Sequence, residues 1–210
     1  KNSTRYDIYQ DGVSVGNVTD ADTDTFAGLL YIGWYGTGSA LLNGYLDEIR
    51  ISDTARYTSS FTPSTSEYDN DSNTKLLIRS DTTDGSTTFT DSSDEGHTVT
   101  RNGGAKHFAP KFGRSAMYFD GTGDYIDVAD STDWNLFESA TTDATIDLWV
   151  YHLTAPASGG KMYVCQWDQV GLYWELRLDS ANLNMTGNSL GLGAYGAHGM
   201  STNRWYHIAA

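Results

Sequence analysis

No stretch of this chain places apolar residues at a helical spacing; what recurs is the two-residue alternation of strands, cut every few residues by turn formers. Arg5 to Gln10 alternates and runs into Asp11-Gly12, the pair favoured in a two-residue hairpin turn, after which Val13 to Val15 turns back. Further strands are expected at Gly28–Trp34, Gly44–Ser52, Lys75–Arg79, Ser115–Phe119, Asp124–Val128 and Ala144–His152. Others follow at Met162–Trp167, Leu172–Leu178, Leu190–Ala194 and Trp205–Ala209. Around a dozen short strands without crossover helices predict an all-β, antiparallel β-sandwich or jelly roll. Thr58 to Asn73 carries Pro63 and is rich in Ser, Thr, Asp and Asn, so it reads as a connecting segment. Its Phe61 and Tyr68 predict that it lies along a surface rather than floating free.

Composition narrows the function classes. The 210 residues hold 13 Lys and Arg against 27 Asp and Glu, a formal charge of −14. Phosphate contacts need clustered cations, so nucleic acid is not an expected partner. No run approaches the roughly 20 apolar residues of a membrane helix, so insertion into a membrane is not expected either. The single cysteine, Cys165, lies in the apolar run Met162 to Cys165 and reads as a buried, inert thiol. Lys1 leads straight into a polar, strand-like stretch without a signal sequence, which suggests a piece of something longer.

Several stretches resemble the laminin-G-like, concanavalin A-like lectin and glucanase family, in the version found in phage tail fibres and environmental bacterial adhesins. Gly44-Tyr-Leu-Asp-Glu-Ile-Arg-Ile-Ser52, with Ala55-Arg-Tyr57 and Phe61-Thr-Pro63, is similar to the family's closing segment. Lys75-Leu-Leu-Ile78, Asp84 to Ser93, Phe112 to Gly121, Gly123-Asp-Tyr-Ile126, Thr145 to Val150 and Trp205-Tyr-His-Ile-Ala209 resemble its opening segment. The closing segment, residues 1–70, precedes the opening segment, residues 71–210, so the order is that of a domain cut in the middle. Ala210 would continue naturally into Lys1. Three arrangements fit: a window from a tandem array, a circular permutant, or chains that complete one another by strand addition.

Catalytic residues are not expected. Glucanases of this fold pair two carboxylates about 5 Å apart on one strand face. Here Asp47 and Glu48 are adjacent and point to opposite faces, and Glu175 is followed by Leu176 and Arg177, with Asp179 only at the strand's end. The five histidines lie apart, with neither a nucleophile elbow nor zinc spacing, and His207 reads as a strand residue whose ring packs or bonds.

Calcium is the cofactor the resemblance implies, tying the Asp120, Gly121 and Asp124 loop to Asp47 of the closing strand; the alternative is that Asp120 and Asp124 cap a turn. Asp20, Asp22 and Asp24 form a second acidic loop that reads as a solvated turn. Sugar binding needs rings that stack on pyranose faces beside fixed hydrogen-bonding groups. Trp34, Tyr35, Trp167, Tyr173, Tyr195 and His198 lie at strand ends or in loops and are the candidates, whereas Trp149 and Trp205 match family positions expected in the core. The expectation is a non-catalytic structural and adhesive repeat of an extracellular filament, cell surface or virion fibre, in contact with neighbouring copies and with surface glycans. The alternatives are a carbohydrate-binding module of a secreted enzyme and a glycosidase with a degenerate site.

Overall fold

A computed structural model describes residues 4–19, 25–34, 36, 38, 40–136, 142–155, 160–169, 171–187 and 193–210. They form fifteen strands: β1 (Arg5–Gln10), β2 (Val13–Thr19), β3 (Leu29–Ile32), β4 (Asn43–Ser52), β5 (Thr74–Ile78), β6 (Val99–Asn102), β7 (Lys106–Phe108) and β8 (Ala116–Asp120). The remainder are β9 (Tyr125–Val128), β10 (Thr145–His152), β11 (Lys161–Trp167), β12 (Tyr173–Leu178), β13 (Asn182–Gly187), β14 (Gly193–Ala197) and β15 (Trp205–Ala209). A single 3-10 turn, Thr132–Trp134, is the only helical element among the described residues. The predicted hairpin is present, with Asp11 and Gly12 at φ 50° and 77°, as a two-residue turn between right-twisted strands requires.

The strands build two antiparallel sheets packed face to face. One has eight strands in the order β2-β1-β15-β10-β4-β8-β7, with β5 also on β4; the other has seven, β14-β13-β12-β11-β3-β9-β6. Alternation makes the core: Leu46, Val150, Met117, Tyr206 and Ile208 point inward from the first sheet, and Leu30, Ile32, Ile126, Val164, Trp174 and Leu176 from the second. The two stretches that read as halves share both sheets. β1 pairs with β15, β4 lies between β10 and β8, and β3 lies between β11 and β9.

β4 serves two neighbours along one edge. Leu46 and the residues before it pair with β8, Ile49 and those after it pair with β5, and Glu48 at φ 52° marks the irregularity between them. On the far side, β2 and β14 close the gap between the sheets. A Cβ on Gly16 would fall 2.3 Å from the Tyr195 carbonyl oxygen, and one on Gly196 would fall 2.5 Å from that of Val15. Only glycine allows this backbone-on-backbone approach.

Residues 53–73 cross the outer face of the eight-stranded sheet as a strap, as Phe61 and Tyr68 predicted. The Phe61 N–H donates to the Gly12 carbonyl, and the Tyr57 and Phe61 rings stack with centroids 3.6 Å apart. Beneath the strap Arg50 grips Asp147 with two hydrogen bonds of 3.1 and 2.8 Å, and the Tyr57 hydroxyl donates to the same carboxylate at 2.8 Å. The Tyr68 ring lies 4.0 Å from the Arg50 guanidinium carbon, and its hydroxyl bonds His207 Nε2 at 2.7 Å. Burial alone would raise the Asp147 carboxyl, but His207 and Arg50 together hold it at about 2. His207 is thus a buried strand residue whose ring bonds a tyrosine hydroxyl.

Trp149 is buried as expected, although on the outer side of its sheet, whereas Trp205 points outward and is not in the core. Trp149 is buried because Phe112 and Lys111 cover it, with the Lys111 ammonium 4.3 Å from its ring. Trp205 is half-buried. Each alternates with an inward neighbour, Leu148 or Tyr206, so strand parity decides the side.

Candidate functional site

The outer face of the seven-stranded sheet carries the strongest concentration of ring and polar side chains. With Leu30 and Ile32 inside, β3 must turn Leu29 and Tyr31 out; likewise β9 turns out Tyr125 and Asp127, and β12 turns out Tyr173, Glu175 and Arg177. Pairing then lines these up across the sheet: Thr186, Glu175, Cys165, Tyr31 and Asp127 are successive partners on β13, β12, β11, β3 and β9. One step along, Tyr173, Trp167 and Leu29 are partners. Trp34 folds back from the end of β3 onto this surface. Its ring lies 4.6 Å from that of Tyr125 and 5.8 Å from that of Tyr31, and Tyr31 and Tyr125 are 6.0 Å apart. Trp34, Tyr125 and Trp167 are half-buried around the buried Tyr31, Met162 and Cys165. A Cβ on Gly36, at φ +84°, would fall 2.1 Å from the Trp167 ring, so the loop after Trp34 needs glycine to lie against that indole.

Polar groups flank the rings. Glu175 is buried and burial raises its carboxyl, opposed by Arg177 Nε at 2.8 Å and the Thr186 hydroxyl at 3.0 Å. Asn184 donates to Asp179 and to the Asn182 carbonyl, while its own buried Oδ1 accepts nothing among the described residues. Asp127 accepts from Asn102. Glu175 and Asp127 stand three strand spacings apart, about 14 Å, whereas glycosidase carboxylates are separated by roughly 5 to 9.5 Å. The Cys165 thiol is raised well above its ordinary range, first by burial and then by Glu175.

The structure gathers Trp34, Trp167 and Tyr173 on this face and adds Tyr31 and Tyr125, which sequence reasoning did not single out. Their signal was parity: each alternates with a branched apolar residue in its strand. Tyr195 shares the face but lies out on edge strand β14, 56% exposed. His198 lies beyond β14 and accepts the Met200 N–H at 3.1 Å. Tyr35 and the Asp20, Asp22 and Asp24 loop lie outside the described residues.

The calcium set is not brought together. Asp120 pairs with Asn43 on β4, and Asp47 sits four residues farther along that strand, about 13 Å away at 3.3 Å per residue. Asp47 is fully buried and accepts the N–H groups of Glu48, Lys111 and Phe112 at 3.0, 3.0 and 3.2 Å. Burial pushes its carboxyl up to about 8 against those bonds. Asp124 accepts the N–H of Gly104 and of Asp120, Asp120 accepts that of Thr122, and Gly121 at φ +80° turns beside Asn43. Asp120 and Asp124 therefore close a turn, and Asp47 anchors the chain that crosses it. With Asp47 and Asp120 about four residues apart along β4, the two carboxylates are too far apart to ligate one calcium ion together.

Comparison with protein-family models, with curated proteins and with solved structures finds no match for the chain. The class defined by the fold is the all-β, two-sheet antiparallel β-sandwich.

Proposed function

We propose that the chain is a non-catalytic, glycan-binding jelly-roll module of the laminin-G-like, concanavalin A-like kind, serving adhesion on an extracellular filament, cell surface or virion fibre. The observation that carries this reading is the cluster of Trp34, Tyr125 and Trp167, half-buried over the buried Tyr31 on an outward sheet face and bordered by the half-buried Asp127 and Arg177. Rings supply stacking surface for pyranose faces, and fixed polar groups supply orientation. The separation of Glu175 from Asp127 supports binding without hydrolysis. The charge of −14 suits a repeated surface module, because like-charged neighbours stay soluble and apart.

A glycan array on the purified chain, followed by titration of the best ligand with tryptophan fluorescence as readout, tests the proposal. Trp34→Ala and Trp167→Ala are each expected to weaken binding about tenfold, about 1.4 kcal/mol. An array without ligands, or a ligand whose affinity neither substitution changes, would refute glycan binding at this face.

A further inference from the structure

A cleft of about 360 Å³ opens past the end of β5, with Arg79 to Thr82 on one wall, Thr88, Thr90 and Ser92 on the other, and His107 joining them. Its volume falls in the range of small-molecule clefts, roughly 300–1,000 Å³. Alternation builds the second wall: Phe89 and Asp91 are buried, so Thr88, Thr90 and Ser92 turn outward. Two bonds dock that wall on β5, the Ser92 N–H donating to the Leu77 carbonyl at 2.7 Å and Asp91 accepting the Leu77 N–H at 2.9 Å. The buried His107 of β7 ties the walls together. A carbonyl only accepts, so its Nε2 donates to that of Thr88 at 2.8 Å, and its Nδ1 is left to accept the Ser80 hydroxyl. Burial lowers the His107 pKa and so favours this neutral ring.

The backbone acceptors of the cleft are taken, and its donors are not. The Ser115 hydroxyl is shared between the Ser80 and Thr82 carbonyls, the Thr82 N–H also donates to that of Ser80, and His107 occupies that of Thr88. The side-chain hydroxyls of Thr82, Thr88, Thr90 and Ser92 make no hydrogen bond among the described residues. Arg79 is half-buried and makes neither a hydrogen bond nor an ion pair among them, and its Nε is buried without a partner. Glu48 feels the Arg79 charge at longer range, but its carboxylate ends on the Tyr68 N–H at 2.6 Å. Asp81, the acid on the lining, accepts the Arg114 N–H at 3.0 Å and stands 4.0 Å from the Arg114 side chain.

We infer that this cleft binds a phosphate group, with the Arg79 guanidinium and the hydroxyls of Thr82, Thr88, Thr90 and Ser92 as its donors. An oxyanion asks only for donors, whereas a cation would meet Arg79 and would lack the carbonyls already occupied. Donors on two facing walls suit a tetrahedral group better than a planar carboxylate, which a single guanidinium fork already satisfies. The cleft has more room than a bare ion fills, which points to a phosphate carried by a small organic molecule as its monoester. Because His107 and Ser115 already hold the two walls, little ordering is left to be done on binding. The site belongs to the eight-stranded sheet, apart from the ring face of the other sheet, and does not rest on the reading of that face.

Calorimetric titration of the full chain with phenyl phosphate, inorganic phosphate and phenol, at constant salt, tests the inference. Phenyl phosphate is expected to bind and phenol is not. Weaker binding of inorganic phosphate marks a monoester as the ligand, and equal binding marks the free ion; either supports the site. Arg79→Gln should weaken phenyl phosphate binding about tenfold or more, and Arg79→Lys should recover part of that loss. Thr90→Val, at an exposed position that leaves the fold intact, should weaken it about threefold. Thermal melts confirm that each variant is folded, and Trp34→Ala should leave binding unchanged. The inference is overturned if neither phosphate probe binds, if phenol binds as tightly as phenyl phosphate, or if affinity is unchanged in folded Arg79→Gln or in Thr90→Val.

Discussion

Removing Asp147 from beneath the strap should be among the most damaging single changes in the molecule. Its carboxylate is fully buried, and the Arg50 side chain that grips it is only 9% exposed. At a charge separation near 4 Å and an effective dielectric of 20 the attraction is about 4 kcal/mol. Burying the pair costs a similar amount, so the pair's net worth is small. Asp147→Ala removes the attraction but leaves Arg50 buried and removes the acceptor for the Tyr57 hydroxyl. The expected loss is therefore about 3–5 kcal/mol. For a chain of this size that lowers the melting temperature by roughly 6–20 °C. Urea titration followed by far-UV circular dichroism measures the loss. Arg50→Met combined with Asp147→Leu should cost clearly less than the two single changes together, because neither buried charge is then left alone. A loss below about 1 kcal/mol for Asp147→Ala would refute the account of how the strap is held.

Stability should fall as pH rises from about 5 to 8.5. Burial raises Asp47 to about 8 and Glu48 to about 7, from an ordinary range near 4. The folded state therefore holds protons the unfolded state has lost, and this contribution disappears as pH climbs through the folded values. Glu48→Gln should shallow that slope in urea midpoints taken across the range. Gly16→Val should destabilise by about 1–3 kcal/mol, since a side chain there meets the Tyr195 carbonyl oxygen at 2.3 Å; an unchanged urea midpoint would mean the two edges do not pack this closely. Cys165, fully buried, should react with an aromatic disulfide reagent only in denaturant, and rapid labelling of the native chain would contradict its burial.

Much of the fold was legible because strand signals are local. Asp11-Gly12 marked its hairpin, and the runs at Gly44–Ser52, Ala144–His152 and Trp205–Ala209 became β4, β10 and β15 within a residue at each end. β6, β7 and β13 went unread, since Val99–Asn102, Lys106–Phe108 and Asn182–Gly187 are short, polar and held by their neighbours' hydrogen bonds. Side assignment of rings was less legible. Trp205 looks like core by its company, yet its parity with Tyr206 turns it out. The carboxylate set failed for a long-range reason: register between β4 and β8, set by packing far from either loop, separates Asp47 from Asp120. Tyr31 and Tyr125 joined Trp34 only once β3 and β9 were paired.

Interleaving of early and late strands bears on how the molecule comes to be folded. Arg50 and Asp147 are 97 positions apart, and the Asp11 side chain accepts from the His207 N–H across 196. β4 can complete neither its hydrogen bonds nor its buried ion pair until β10 exists, and β1 must wait for β15. Such distant closures make folding slow and leave apolar strands unpaired during synthesis. Cells making this chain in quantity would need to shield Ile8, Leu46 and Ile49 until the last strands emerge.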